Sequence, residues 1–112
     1  MPRYLISFDD GSMDHVMDVI EEVGVATRAA VDEAKAAGVW IWGGGLARQQ
    51  RAIVGTDGTV SDGPSPETKP VIGGFCILEV PSREAALRWA AKIAAACRCA
   101  QDVREIMYDP ES

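Results

Sequence analysis

Two side chains in this sequence are of a type that moves protons, His15 and Asp62. His15 is the single histidine, and an imidazole titrates near neutral pH, which suits a general base. It also stands among Asp9, Asp10, Asp14 and Asp18, a setting equally typical of a solvated helix start. Asp62 opens the turn Asp62-Gly63-Pro64, where an Asp side chain commonly binds its own backbone two residues on. Pointed into a cleft instead, its carboxylate would accept a proton or hold a ligand hydroxyl. Glu67 and Lys69 flank it on the same loop as candidate ligand-binding residues, although an exposed ion pair between them would be worth little.

Trp40 and Trp42 are two apart, so in a regular strand both point to one face and form an aromatic wall for a flat ligand. Packing between subunits is the plainer role for such a pair. The glycines Gly43, Gly44 and Gly45 lack the downstream Gly-Lys-Ser/Thr of a phosphate loop, and a bulge or a tight strand exit explains them better. Cys76, Cys97 and Cys99 are three, an odd number that suits reduced thiols in a cytoplasmic protein. Their spacing does not match the Cys pairs of zinc sites, so no metal and no cofactor is expected.

These residues have to be held by a small set of elements. Arg3 to Phe8 reads as a strand rich in Tyr, Leu, Ile and Phe. A helix follows, with Ser12 as its N-cap and Gly38 just past its end. Val16, Ile20, Val23, Thr27, Ala30 and Ala34 recur every three or four residues and give it one apolar face. Val39 to Trp42 is a strand stopped by the glycines, and Asp57-Gly58 turns a small hairpin. Gly74 to Val80 is a third main strand. A second helix from Arg83 to Cys97 is capped by Ser82, and Val103 to Tyr108 ends the chain as a strand. The order β-α-β, hairpin, β-α-β is the ferredoxin-like α+β pattern, βαββαβ with an extra small hairpin.

In that pattern both helices cover one face of the sheet, and a monomer should leave the other polar. The strands read as apolar on both faces: Phe75 and Ile77 oppose Cys76 and Leu78, and Leu5 opposes Tyr4, Ile6 and Phe8. A second copy's sheet is the simplest cover, so a homodimer is expected. The 112 residues suit one domain, 1–112, with one core. With 17 Asp and Glu against 11 Lys and Arg, net charge -6, the chain lacks the basic excess of nucleic-acid and membrane-surface binders. No apolar run approaches the roughly 18 residues of a membrane span, and none suits a signal peptide.

The segment Val60-Ser61-Asp62-Gly63-Pro64-Ser65-Pro66-Glu67-Thr68-Lys69, followed by Ile72-Gly73-Gly74-Phe75, resembles the signature of the DGPF group of YCII-related proteins. The helix Glu84-Ala85-Ala86-Leu87-Arg88-Trp89-Ala90-Ala91 is similar to that family's Ala/Trp-rich second helix. The passage from Ala36-Ala37-Gly38-Val39 through Gly43-Gly44-Gly45-Leu46 is similar to its helix-to-strand step. The resemblance implies a dimeric α+β barrel, two ferredoxin-like sheets facing each other around a cleft. Some relatives in the wider superfamily act on muconolactone-type molecules, with a His-Asp pair proposed as catalytic. By the count back from the helix-ending glycine, Thr27 stands in this chain where those relatives have histidine. Ser65 replaces the signature's phenylalanine, and Pro70 stands where an acidic residue commonly follows the lysine.

Three functions follow as expectations. The first is a homodimer binding a small molecule in an apolar, tryptophan-containing cleft. The second is a cofactor-free lyase or isomerase moving a proton on a small carbonyl or lactone compound, with Asp62 or His15 as its catalytic residue. The third is a regulatory or interaction dimer without a ligand.

Overall fold

Alternation along the N-terminal segment sets the sheet. The structure, a computed structural model, describes residues 1–47, 51–63 and 71–112. Strand β1, Arg3–Asp9, turns Tyr4, Ile6 and Phe8 to one face and Leu5 and Ser7 to the other. It pairs antiparallel with β5, Ile72–Glu79, and with β6, Asp102–Glu105. Strand β2, Trp40–Gly45, pairs antiparallel with the far side of β5, giving the order β2-β5-β1-β6. Helices α1, Ile20–Ala36, and α2, Arg83–Cys97, complete a mixed α+β fold of the ferredoxin-like type.

The core lies between β1, β5 and α2. Tyr4, Ile6, Cys76, Leu78 and Val80 meet Ala85, Ala86, Ala90, Ile93 and Cys97. The small side chains along α2 let the helix sit close to the sheet, and Ile6, Leu78 and Val80 are among the largest side chains fully buried. Ser82 fixes where α2 starts: its hydroxyl accepts from the Ala85 N–H at 3.1 Å. Gly38 ends α1 with a φ of 76°, a conformation glycine adopts without a Cβ penalty. The two helices are joined across their outer edge by Lys92 with Glu33 and by Arg98 with Glu22, the latter at 3.1 Å.

Three local expectations are corrected. Ser12 does not cap α1; its hydroxyl donates to the Asp9 carbonyl, and the chain runs through a 3₁₀ segment, Asp14–Val19, before α1 begins. The glycines do not stop β2, because Gly43, Gly44 and Gly45 continue its pairing opposite Cys76, Phe75 and Gly74. The register also shifts within Trp40-Ile41-Trp42: Trp40 pairs with Leu78, yet Trp42 pairs with its neighbour Ile77. This β-bulge places one extra residue in β2 and turns the two tryptophans to opposite faces of the sheet.

The hairpin of β3, Ala52–Val54, and β4, Val60–Asp62, forms its own two-stranded sheet. Gly55 pairs with Thr59, and Gly58, at φ 86°, closes a three-residue loop. Asp57 holds this turn by accepting from the N–H and the hydroxyl of Thr59. Every residue of β3 and β4 is exposed. On the sheet face away from the helices, Trp42 and Phe75 lie ring to ring at 5.5 Å. Leu5 and Ile77 are only half-buried beside them.

The close approach of β2 to β5 yields a stability test. A Cβ added at Gly43 would fall 2.6 Å from the Cys76 Cβ and from the Phe75 carbonyl oxygen, whereas one at Gly44 meets nothing within 4 Å. Gly43→Ala should cost about 2–4 kcal/mol in urea unfolding, as overpacking against fixed backbone does, and Gly44→Ala about 0.5 kcal/mol or less. Equal losses for the two variants would contradict this register.

Candidate functional site

Helix α1 carries little bulk where it passes over β2. Gly24, Thr27 and Ala30 share its inward side with Ile20, Val23 and Val31, and below them lie Gly43, Gly44 and Gly45. Short side chains above and none below leave a pocket of about 350 Å³ between helix and sheet. Phe8 and Trp40 supply aromatic walls, and Ile93 and Cys97 of α2 close the inner end. Gly74 lets the Phe8 ring lie across β5, since a Cβ there would sit 2.5 Å from the ring. This volume is in the usual range for small-molecule sites, as is the mostly apolar lining.

Polar groups in the pocket are few. Thr27 lies with its hydroxyl 3.5 Å from the Cys97 sulfur, and Gln101 is held by the Cys99 carbonyl at 3.4 Å. Arg28 is the one charged side chain among the described lining residues. It is exposed at the rim. No aspartate, glutamate or histidine appears among those residues, so the pocket as described holds no general base. Burial, reinforced by the Cys97 sulfur nearby, pushes the Cys76 thiol from its ordinary 9.0 up to about 12. Cys76 is thus an inert apolar wall at neutral pH rather than a nucleophile.

The residues singled out in the sequence do not converge here. Trp40 lines the pocket. Trp42 is 60% exposed on the opposite face of the sheet, so the single aromatic wall expected from their spacing does not form. The bulge at Ile41 is the reason. Asp62 is exposed on β4 opposite Ala52, and His15 is exposed in the 3₁₀ segment. Neither is among the pocket-lining residues. Glu67 and Lys69 lie outside the described residues. Thr27, which the family resemblance puts in the histidine's place, does face the pocket.

Arg28, Gln101 and Phe8 were not anticipated as site residues. Arg28 directly follows Thr27 in the chain and is exposed, at the edge of the periodic apolar face and not on it, so the periodicity did not mark it. A second hollow, of about 490 Å³, lies between the chain termini and is bordered by Met1, Arg3, Glu79, Glu105 and Tyr108. Tyr108 is 89% exposed there, so this hollow lacks the firm walls of the first.

Residues 8–108 match the YCII-related domain. The chain belongs to the YCII-related family. Among solved structures, this YCII-related chain is similar to 5-chloro-2-hydroxyhydroquinone dehydrochlorinase from Burkholderia phenoliruptrix AC1100, in complex with 2,5-dihydroxybenzoquinone. The TM-score is 0.55 and the identity 20%, over 99% of this chain and 98% of that one, which establishes a shared fold. Comparison with curated proteins gave no match. Among the described residues no helix is long and apolar enough to cross a membrane.

The Cys76 thiol makes stability depend on pH in a definite direction. The unfolded thiol ionises near 9.0, while the folded one holds its proton to about 12. This contribution is whole below pH 9 and is lost as pH rises from 9 toward 12. Melting temperature should therefore fall more steeply above pH 9 in the wild type than in Cys76→Ala. Parallel falls would show that Cys76 is not the buried thiol described.

Proposed function

We propose that this YCII-related protein binds a small, flat, largely apolar molecule in the pocket between α1 and β2, and does so as a homodimer in the cytoplasm. The observation that carries the binding reading is the pocket itself: about 350 Å³, walled by Phe8 and Trp40 over a floor of three glycines. A strand without side chains is flat, and aromatic walls favour planar ligands by stacking. The dehydrochlorinase with the same fold holds a quinone, which is a ligand of that shape. The Asp62-Gly63-Pro64 to Gly73-Gly74 spacing supports placement in the DGPF group.

The homodimer rests on two exposed features. One is the sheet face bearing Trp42, Phe75 and Ile77; the other is the hairpin, on which Val54 and Val60 are 66% and 68% exposed. Apolar side chains in both places are those a second copy would cover. Three free cysteines support a reducing compartment. Sedimentation equilibrium should give about twice the 12.0 kDa of one chain. A monomer at micromolar concentration would remove this part of the reading.

Binding is favoured over catalysis because the described lining offers no carboxylate or imidazole. A lyase or isomerase activity would need Asp62 or His15 to reach a ligand, and both are exposed outside the pocket. That second reading draws its support from the dehydrochlorinase fold alone.

Amide NMR with a panel of flat aromatic and quinone compounds tests the reading. Shifts should concentrate at Gly43, Gly44, Gly45 and the Trp40 indole. Thr27→Phe, which fills the pocket, should weaken binding at least about tenfold, or about 1.4 kcal/mol. Gly24→Leu should do the same from the rim while keeping the fold, since no atom lies within 4 Å of a Cβ there and leucine suits a helix better than glycine. Asp62→Asn and His15→Gln should leave binding unchanged. Shifts confined to Trp42, Leu5 and Ile77, or no binding by any compound, would refute the reading.

A further inference from the structure

Arg28 gives the pocket a chemical preference. It is the only charged side chain among the described lining residues, in a chain whose net charge is -6. Of the other helix cations, Lys92 pairs with Glu33 and Arg98 with Glu22, while Lys35, Arg83 and Arg88 make no ion pair with the described residues but do not line the pocket. The Arg28 side chain makes no hydrogen bond or ion pair with the described residues, although Asp32 follows one turn later on the same helix. Arg28 is an exposed residue of the lining, and Thr27 and Gln101 also line the cavity. We infer that the ligand is a planar aromatic anion, its ring over the glycine floor beside Trp40 and its carboxylate at Arg28.

The inference rests on the pocket being the binding site and adds the charge of what it holds. A guanidinium offers two parallel N–H donors, the geometry a carboxylate accepts in pairs. The ring supplies apolar contact within the pocket, while the charged group remains at the rim, where it keeps part of its hydration. An arrangement of this kind avoids burying an ion without a partner. Thr27 and Gln101 are placed to serve a ring hydroxyl or carbonyl, each by a single hydrogen bond.

Two probes of the same size and flatness separate the terms: 2-naphthoate, an anion, and 2-naphthamide, which is neutral. Both are titrated by amide NMR into the full chain and into Arg28→Gln and Arg28→Lys. The wild type should bind 2-naphthoate about tenfold more tightly than 2-naphthamide. In Arg28→Gln the two should become equal, with the 2-naphthamide affinity unchanged. Arg28→Lys should keep part of the preference. Equal affinities in the wild type, or a preference that survives Arg28→Gln, would overturn the inference while leaving the pocket intact. If neither probe binds at millimolar concentration, the pocket reading falls and the inference with it.

Discussion

The approach of β2 to β5 at Gly43 is the constraint on which the rest of the structure depends. No side chain fits between the two strands there, because even a methyl group would meet the Cys76 Cβ and the Phe75 carbonyl. The glycines that permit this contact leave β2 bare beyond Trp42. Helix α1 then has nothing tall to rest on at its middle, where its own inward residues are Gly24, Thr27 and Ala30. The result is a gap in an otherwise close-packed layer, open at one end and floored by backbone. In most domains such a gap would be filled by a larger side chain, since empty apolar volume costs stability. Its persistence with aromatic walls and a cation at the rim is what gives it the character of a site.

The same strand decides what each tryptophan does. A regular strand would have put Trp40 and Trp42 side by side. The bulge instead sends Trp40 toward α1 and Trp42 toward the uncovered face, where it meets Phe75. One tryptophan therefore lines the pocket and the other lies on the exposed face of the sheet. On the proposed reading the first is a ligand side and the second an assembly side, with β2 and β5 contributing to both.

Much of the fold was legible because its determinants are local. Ser82 caps α2 through its own side chain, Gly38 takes the left-handed conformation that ends α1, and Asp57-Gly58 turns the hairpin. The alternation in Arg3 to Phe8 and in Gly74 to Val80 gave the central strands their faces. The site was less legible, because it depends on contacts between elements. Trp-Ile-Trp alternates as a strand should, and only pairing with β5 reveals the extra residue. The glycines read as a strand end, yet their function is to extend the strand where side chains cannot fit. Asp62 and His15 drew attention by residue type, but type alone does not say which side of a helix or hairpin faces a cavity. Thr27 was marked by its periodicity, and Arg28 follows it in the chain.

The most direct test of the central claim, that the ligand lies inside one subunit between α1 and β2, is a crystal structure grown with 2-naphthoate. The account predicts the ring over Gly43 to Gly45, against Trp40 and Phe8, with one molecule in each subunit. Density for the ring between two facing sheets, stacked on Trp42 and Phe75 with the α1 pocket unoccupied, would contradict it.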